Sequence, residues 1–427
     1  MKKISAVRGA IDILPGEIGV WQRVETVVRD VMTVYGYNEI RTPLFEETAL
    51  FARSIGEDTD IVGKEMYTFA DKGGRSLTLR PEGTASVVRA FIEHSLDQRG
   101  LPQALWYMGP MFRQERPQKG RQRQFHQFGV ELIGSTSPAA DAEVMLLFDR
   151  IAAGLGLDER EFSLHSIGGM ESRNNYRTVL VDFLDTVEDR LCVDCRRRKG
   201  TNPLRVLDCK KPGCREAVHD SSKLPKLIDS LTDADREHYE SVKGHLDDCG
   251  VSFVEDRFLV RGFDYYTGTV FEMNCKGLGA QSAVMGGGRY DDLVRELGGQ
   301  DQPAVGFACG MERLVLVMRE AAGLKGTNAV STGGNAPRIY VVSADDAVRA
   351  KAMRYLESIR GIGCPSSTDL MGRSMKAQMK AADRFDARIA LIVEPDGSVS
   401  VRDMEKSEQR TMPFDLFLNA LKDGNIP

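Results

Sequence analysis

The chain has 427 residues, with 57 Lys plus Arg against 62 Asp plus Glu and a formal net charge of −5. Its length allows two or three domains with full hydrophobic cores, and its 42% hydrophobic and 28% charged residues are typical of a soluble globular protein. A net negative charge argues against a general coat for DNA, so an anionic ligand is expected to bind at a local basic cluster.

The N-terminal segment MKKISAVRGAIDILPGE lacks a sustained apolar run, and no later segment supplies the roughly 18 apolar residues of a membrane span. Eight cysteines in so long a chain do not make a disulfide scaffold, and free thiols suit a reducing compartment. We therefore expect a cytoplasmic protein without a membrane partner.

The first hundred residues alternate helical and strand-like patterns. Residues 17–37 place apolar side chains at helical spacing until Gly36, which predicts an amphipathic helix. The segment EIRTPLFEE, residues 39–47, predicts a strand that Pro43 confines to an edge or an interface. Residues 76–94 then predict a strand, a Pro/Gly turn and a helix.

The most basic segment, FRQERPQKGRQRQFHQFGVE, covers residues 112–131. It joins two strand-like runs, 104–113 and 124–134, which predicts an antiparallel hairpin. Between Arg113 and Arg123 the loop carries five cationic side chains against one carboxylate. Because guanidinium groups pair bidentately with phosphate oxygens, the loop predicts a site for polyphosphate or a nucleic-acid backbone.

The rest of the chain falls into three regions that differ in composition and in their predicted secondary structure. Residues from about 170 to 250 are helical, charged and cysteine-bearing and interrupt two strand-rich regions, which indicates an inserted domain. Strands are predicted again at 257–274, and residues 304–321 fit a strand, a glycine turn and a helix. Beyond a linker, βαβ units predict a small open α/β domain. We expect a first domain at 1–325, the linker at 326–336 and the last domain at 337–427.

In order and spacing, these segments resemble the histidyl-tRNA synthetases, a family of class II aminoacyl-tRNA synthetases. EIRTPLFEE is similar to motif 1 of the class, FRQERPQKGRQRQFHQFGVE to motif 2 and GFACGMERL to motif 3, and the histidine-specific signatures look like LVRGFDYY and GGGRYD. The resemblance implies an α+β catalytic domain with the antiparallel sheet of class II synthetases, a helical insertion and a C-terminal α/β anticodon-binding domain. It further implies a homodimer, with Pro43 near the interface, that ligates L-histidine to tRNA(His) through a histidyl-adenylate and releases AMP and pyrophosphate.

Activation of an amino acid brings a carboxylate against the α-phosphate of ATP. These two anions repel each other, so cations must stand on both sides of the reacting phosphate. Arg113 and Arg261 are the candidate catalytic residues. The family resemblance places the second opposite the first, where other class II enzymes use an extra metal ion, so no metal-binding residue is expected there. Arg121 and Arg313 are expected to reach the β- and γ-phosphates of ATP, which enters as its Mg²⁺ complex.

Adenine needs a flat apolar clamp and a hydrogen-bond partner for its amine. By the family pattern, Phe125 stacks on the ring and Glu115 accepts from the amine. Taken alone, these residues have another interpretation, a core phenylalanine and a surface glutamate paired with Arg116 or Lys119.

The amino-acid pocket must satisfy an ammonium, a carboxylate and an imidazole. The turn RPEGT and the strand after the basic loop offer carboxylates, and the two histidine signatures offer phenols and aromatic walls. The candidate histidine-binding residues are Glu82, Gly83, Thr84, Gln127, Glu131, Tyr265, Tyr266 and Tyr290.

Two of these assignments depend on local structure. Tyr265 and Tyr266 stand in a segment predicted as a strand, where adjacent side chains point to opposite faces. We therefore expect only one of them in the pocket, and Tyr266 is preferred. Gly286, Gly287 and Gly288 are interpreted as a turn that permits positive φ and lets the backbone approach the substrate.

Histidines and cysteines bear on metal binding. The six histidines are scattered without metal-ligand spacing, and His126 is expected to pack away from Gln127. A pattern C-x2-C-x13-C-x4-C, not far from a zinc ribbon, is formed by Cys192, Cys195, Cys209 and Cys214. Its last gap is longer than the usual two residues, and the family does not generally need zinc. Reduced thiols are therefore expected, with a zinc site as the alternative.

Two further basic clusters suit tRNA. Residues 196–198, beside the cysteines, are all arginine and are expected to touch the acceptor-stem backbone, with a solvated face as the alternative. In the last domain, Arg373, Lys376, Lys380 and Arg384 recur at three- and four-residue spacing, which suits a phosphate track along a helix.

Two other functions stay open. One is a regulatory paralogue, the synthetase-like subunit of ATP phosphoribosyltransferase, which binds histidine as a sensor; such paralogues usually lack the anticodon domain and have eroded motifs. The chain keeps Glu82, Arg113, Gln127, Arg261 and Arg313. The other is a class IIa synthetase for a different amino acid, against which the LVRGFDYY signature argues.

Overall fold

The computed structural model describes residues 3–56, 59, 61–207, 209–219, 223–275, 283–321 and 338–424. The chain divides into two compact units, Met1–Val330 and Ser331–Pro427. The predicted linker at 326–336 lies outside the described residues, and the predicted domain boundaries stay predictions.

The helices and strands of the first unit follow each other along the chain. The helices are α1 Ile18–Tyr35, α2 Thr48–Ile55, α3 Thr84–Glu93, α4 Pro138–Gly154, α5 Met170–Asp185, α6 Val193–Thr201, α7 Pro212–His219, α8 Asp233–Asp248, α9 Leu293–Glu296 and α10 Met311–Ala321. The strands are β1 Asn38–Glu39, β2 Phe45–Glu47, β3 Tyr67–Ala70, β4 Ser76–Leu79, β5 Gln103–Phe112, β6 Gln124–Ile133, β7 Arg160–Ser166, β8 Phe253–Glu255, β9 Thr267–Cys275, β10 Ala283–Arg289 and β11 Ala304–Gly310. Single turns of 3₁₀ or π-helix lie at Ile61–Glu65, Leu96–Arg99, Glu188–Arg190, Pro203–Val206 and Leu227–Ser230.

The main sheet has eight strands in the order β1-β5-β6-β11-β10-β9-β7-β8. Its central pairs are antiparallel, and β1 and β8 join the two edges in parallel. The predicted hairpin is confirmed, with Trp106 opposite Val130. A three-stranded sheet, β2-β4-β3, lies beside it, so the two halves of the segment broken by Pro43 belong to different sheets.

Alternation along β6 shows how the sheet is covered on one face. Phe128, Val130 and Leu132 join a buried cluster with α1 and α4, because successive side chains of a strand point to opposite faces. Helix α1 contributes apolar side chains at helical spacing and ends at Gly36, whose φ of 75° lies in the left-handed region. The opposite face of β6 is therefore left for the site.

Two sequence predictions in this unit are wrong. Residues 257–266 form a loop, since the Asp256 carboxylate accepts from the Phe258 N–H at 2.9 Å and the Asp256 carbonyl accepts from the Leu259 N–H at 3.0 Å. Such a local turn competes with a strand ladder. The triple glycine is an extended part of β10, with Gly286 paired to Glu272 on one side and Ala308 on the other.

The second unit carries a five-stranded sheet in the order β13-β12-β14-β15-β16. Its elements are β12 Ile339–Ser343, α11 Arg349–Gly361, β13 Ser366–Thr368, α12 Met375–Arg384, β14 Ile389–Val393, β15 Val399–Asp403, β16 Gln409–Met412 and α13 Phe414–Lys422. The first three strands of that order are parallel, which confirms the βαβ prediction, and the last two are antiparallel additions.

In the part of the chain that the structure describes, no helix combines the length and apolar character needed to cross a membrane.

Candidate active site

A cavity of about 230 Å³ opens on the face of the main sheet away from α1 and α4. The turn before α3, the β5–β6 hairpin, the loop before β9, strands β10 and β11 and the start of α10 all contribute to its walls. The predicted residues that line it are Glu82, Thr84, Arg113, Glu115, Arg121, Phe125, Gln127, Glu131, Arg261, Tyr265, Tyr266, Tyr290 and Arg313. Residues from separate motifs therefore meet at one place.

Gly83 has a different position from the other predicted residues. A Cβ atom added there would lie 2.2 Å from the ring of Tyr107. The glycine thus lets the turn before α3 pack against the buried Tyr107, and its contribution is close packing behind the cavity wall.

Strand β6 separates site residues from packing residues by its alternation. Gln127 and Glu131 face the cavity, four residues apart on one side of the strand. His126 faces the other way, with its ring centroid 5.2 Å from that of Trp21 and its Nδ1 3.1 Å from the Glu312 carboxylate. Its expected place in packing is confirmed.

One end of the cavity is built from buried carboxylates and hydroxyls. Thr84 Oγ1 donates to Glu131 Oε1 at 2.8 Å, and the Tyr290 hydroxyl donates to the other oxygen of Glu131. Glu82 accepts from the backbone N–H groups of Thr84 at 2.6 Å and Ala85 at 2.9 Å, at the N-terminus of α3. We call this set the carboxylate end: Glu82, Thr84, Gln127, Glu131 and Tyr290.

Burial is the main cause of the shifted pKa values at the carboxylate end. It raises the pKa of Glu131 to about 8, while the hydroxyls of Tyr290 and Thr84 oppose the rise. Burial also raises the pKa of Glu82, against the hydrogen bonds from Ala85 and Thr84. At neutral pH Glu131 is therefore mostly protonated until a positively charged or N–H donor ligand favours its ionised form.

The other end is built from guanidinium groups. Arg113 Nε donates to the Pro81 carbonyl at 2.9 Å, and its guanidinium carbon lies 5.2 Å from the Phe125 ring centroid and 5.9 Å from that of Phe263. Burial lowers the pKa of Arg113, yet an arginine stays protonated at neutral pH. The Pro81 carbonyl and the two rings fix the plane of this cation.

The remaining arginines are also positioned by specific partners. Arg261 pairs with Glu272. Burial is the largest influence on the pKa of Arg261 and lowers it, but Glu272, Tyr266 and Tyr265 together outweigh burial and raise that pKa. Arg121 Nη1 lies 3.3 Å from the Glu115 carboxylate. Arg313 Nη1 donates to the Ala283 carbonyl at 2.5 Å.

We call these four residues the arginine end: Arg113, Arg121, Arg261 and Arg313. The salt-bridge partner of Glu115 is thus Arg121, whereas Lys119, weighed as a partner for it, pairs with Glu320 at 2.6 Å.

The expectation that only one of the adjacent tyrosines enters the pocket is wrong. Tyr265 and Tyr266 both line the cavity, with ring centroids 4.7 Å apart, and both are buried. They lie in the loop before β9, where neighbouring side chains are free of the alternation that a strand imposes.

Glycines make room for the polar side chains of the site. A Cβ atom at Gly306 would lie 2.2 Å from Glu131 Oε2, and one at Gly286 would lie 2.2 Å from the Arg261 guanidinium. At Gly288 it would lie 2.9 Å from the Tyr266 ring. The glycines of β10 and β11 therefore serve the close approach of these side chains, in extended backbone.

Sequence reasoning missed several residues of the site. Glu272 on β9 pairs with Arg261, and Phe263 stacks on Tyr265 with ring centroids 5.2 Å apart. Glu312 accepts from the His126 backbone N–H at 2.9 Å. Local patterns gave no sign of the Arg261–Glu272 pair, because it depends on the register of β9 against β10: Glu272 lies opposite Gly286, which leaves room for the Arg261 guanidinium.

A second cavity of about 170 Å³ adjoins the arginine end. It shares Arg113, Arg121 and Arg261 with the first cavity and adds Arg198 and Arg205 from the insertion. We call it the basic groove. It connects the insertion to the arginine end of the main cavity.

Comparison with known proteins gives consistent matches over both units. The family model described as histidyl-tRNA synthetase matches residues 9–314, and the model described as an anticodon binding domain matches residues 338–424. A histidine–tRNA ligase from Moorella thermoacetica is 47% identical over 414 residues, 96% of each chain. One from Fervidobacterium nodosum is 45% identical over 421 residues, 98% of each chain.

Among solved structures, the apo histidyl-tRNA synthetase of S. aureus is similar to this chain with a TM-score of 0.80 at 36% identity. The match covers 98% of this chain and 100% of that one. The fold class predicted from the sequence is confirmed.

Proposed function

Since the chain belongs to the histidyl-tRNA synthetase family, we propose that it ligates L-histidine to tRNA(His) at the expense of ATP. The histidine carboxylate attacks the α-phosphate of ATP, and the bond to pyrophosphate breaks. The terminal 3′-hydroxyl of the tRNA then attacks the acyl carbon of the adenylate, and AMP leaves. A phosphate oxygen of the adenylate accepts the hydroxyl proton.

The observation that carries the proposal is the polarity of one cavity, with buried carboxylates at one end and four arginines at the other. Histidine brings an ammonium and an imidazole, and Mg²⁺–ATP brings a triphosphate. Their reacting groups, a carboxylate and the α-phosphate, meet where the two ends join. This arrangement supports a reaction between the two ligands.

At the carboxylate end, Glu131 accepts from a ring N–H of histidine and Glu82 accepts from the ammonium. Gln127 contributes amide donors and an acceptor, and its Oε1 is buried without a partner among the described residues. Tyr265, Tyr266 and Tyr290 form the aromatic wall around the imidazole.

At the arginine end, Arg113 and Arg261 flank the reacting phosphate and neutralise its growing charge. Arg121 and Arg313 bind the β- and γ-phosphates and stabilise the leaving pyrophosphate. Phe125 stacks on adenine, and Glu115 accepts from its amine. The cation–π contact between Arg113 and Phe125 supports this order, because it places an aromatic ring beside the cation for the α-phosphate.

Basic residues outside the main cavity are assigned to binding the tRNA. Arg198 and Arg205 in the basic groove bind phosphates of the acceptor end. In the second unit, Lys376, Lys380 and Arg384 on α12 bind the backbone of the anticodon arm. Arg373 also pairs with the buried carboxylate of Asp369 at 2.5 Å, so part of its role is structural.

The active protein is a homodimer located in the cytoplasm, with the segment around Pro43 at its interface. Exposed apolar side chains on the three-stranded sheet support this assembly: Leu44, Phe45 and Phe69 are each exposed by 43–50%. Such a patch favours a partner surface.

ATP–pyrophosphate exchange with each of the twenty standard amino acids tests the proposal. We expect exchange that depends on histidine. Exchange with no amino acid would favour the histidine-sensing paralogue, and exchange with a different amino acid alone would overturn histidine as the substrate.

A further inference from the structure

The insertion brings its cysteines into a single cluster. The Sγ atoms of Cys192, Cys195, Cys209 and Cys214 all lie within 4.8 Å of one another. Cys192 stands just before α6, Cys195 lies in that helix, Cys209 lies between α6 and α7, and Cys214 lies in α7. Three separate pieces of the insertion thus converge on one point.

The spacing of the sulfur atoms suits a tetrahedral ion. Zinc–sulfur bonds of about 2.3 Å in a tetrahedron put neighbouring sulfur atoms roughly 3.8 Å apart. A contraction of up to about 1 Å from the observed limit reaches that geometry. The Cys192 N–H already donates to the sulfur of Cys214 at 3.0 Å, and backbone N–H groups commonly support metal thiolates in this way.

Helix α6 itself buries little apolar surface, although the loops around it pack Leu191, Val206 and Leu207 against the cysteines. All side chains of α6 lie within the described residues, and Cys195 is its buried one. A helix with a single buried side chain gains little from hydrophobic burial, and small, charged segments of this kind commonly depend on a metal or disulfides. Lys211, which pairs with Asp194 at 3.1 Å, also interacts electrostatically with Cys192.

We propose that Cys192, Cys195, Cys209 and Cys214 bind one zinc ion as a tetrathiolate site that holds α6, α7 and the segment between them together. Each thiol exchanges its S–H bond for a Zn–S bond and releases its proton to water, without any change of oxidation state. The site is structural, because four protein ligands leave no open position for a substrate. This inference does not depend on the proposed function.

The zinc site has a mechanical link to the main cavity. Between Cys195 and Cys209, Asn202 Nδ2 donates to the Asp264 carboxylate at 2.8 Å, and Arg205 Nε lies 3.3 Å from the same group. Asp264 belongs to the loop that carries Arg261, Tyr265 and Tyr266. Fixing the insertion therefore supports the wall of the cavity from outside.

Metal analysis of the full-length protein, purified without chelators, tests the site. We expect about one zinc ion per chain, and stoichiometric release of that zinc when a mercurial reagent titrates the thiols. Replacing zinc with cobalt should give the visible absorption bands of a tetrahedral thiolate complex. Protein free of metal with reduced cysteines, protein with disulfides in the cluster, or protein with another resident metal would overturn the proposal.

Cysteine variants distinguish the loss of the zinc site from the loss of any one thiol. Cys209→Ser and Cys214→Ser should lose most of the zinc and lower the midpoint of thermal unfolding, whereas Cys249→Ser, at an exposed cysteine outside the cluster, should retain both. If the cluster variants do not fold, zinc release from the wild-type protein still shows whether the cysteines bind zinc. Full zinc retention in both cluster variants would contradict the assignment.

Discussion

The two ends of the cavity obtain their charge in opposite ways. At the arginine end the cations are present before a ligand binds, because arginine stays protonated at neutral pH even where burial lowers its pKa, as at Arg113. At the carboxylate end, burial raises the pKa of Glu131 to about 8, so its negative charge develops when a ligand supplies N–H donors. In the proposed function, a triphosphate is therefore attracted by fixed charge, and histidine binds through hydrogen bonds to a carboxylate that ionises on binding.

The largest effect is expected at the arginine end. Arg113→Ala should lower kcat for ATP–pyrophosphate exchange by a factor on the order of 10² to 10³, the loss typical of removing one donor to transition-state charge. Arg113→Lys should recover little of it, because an ammonium lacks the planar fork held by the Pro81 carbonyl and the aromatic rings. Steady-state exchange kinetics measure both variants.

Arg116→Ala, at an exposed arginine of the same loop, is the matched control and should stay close to wild type. Equal losses in Arg113→Ala and Arg116→Ala would show that the loop responds to its total charge.

Gly286→Ala probes Arg261, the other arginine proposed to be catalytic, without removing it. Because the new Cβ would lie 2.2 Å from the Arg261 guanidinium, the side chain must move, and kcat for exchange should fall about tenfold or more. Gly244→Ala, in α8 with open space around the added atom, should leave exchange unchanged. Wild-type activity in Gly286→Ala would remove Arg261 from the catalytic arrangement.

Two arginines that the insertion carries on α6, Arg197 and Arg198, should matter for tRNA alone. Changing Arg197 and Arg198 to Gln should raise the KM for tRNA severalfold through lost phosphate contacts, while exchange stays intact. Arg196 is left in place because its guanidinium donates to the carbonyls of Glu188 and Asp189 at 3.1 and 3.0 Å and holds α6. Aminoacylation and exchange are measured side by side, and a parallel loss of both would point to a damaged fold.

The carboxylate end predicts a pH dependence of stability. Folded protein keeps a proton on Glu131 that the unfolded chain releases above the usual carboxyl pKa of 4.5. The contribution of this residue to stability is therefore largest at low pH and declines as pH rises from about 4.5 to about 8. At about 1.4 kcal/mol per pKa unit, the decline is on the order of a few kcal/mol.

Glu131→Gln should remove that decline. Urea unfolding of both proteins at several pH values between 5 and 8 measures it as a fall in the stability of wild type relative to the variant. A constant difference across that range would show that Glu131 titrates normally. Glu93→Gln, at a surface residue, controls for loss of any single carboxylate.

Much of this polarity was predictable from the sequence. Period-two alternation and the motif resemblance placed Gln127 and Glu131 on one face of a hairpin, and both line the cavity. The sequence did not predict the features that depend on contacts with residues far away in the chain. Residues 257–266 form a loop that starts with a local turn at Asp256, and both Tyr265 and Tyr266 reach the pocket.

The triple glycine shows the same limit. Its backbone is extended, and the reason for glycine at Gly286 is the side chain of Arg261, which arrives from a loop more than twenty residues earlier in the sequence. Glu272 can be identified as the partner of Arg261 only from the register of β9 against β10. Local patterns predict the elements, and strand register decides which side chains meet.

The most direct test of the two-ended cavity is ATP–pyrophosphate exchange, measured while the concentrations of histidine and ATP are varied in turn. Glu131→Gln should raise the KM for histidine on the order of tenfold and leave the KM for ATP nearly unchanged, because a hydrogen bond to a charged group is worth about 1.5–3 kcal/mol. Arg313→Gln should do the reverse. If each variant raised both KM values equally, the division of the cavity into a histidine end and a triphosphate end would be wrong.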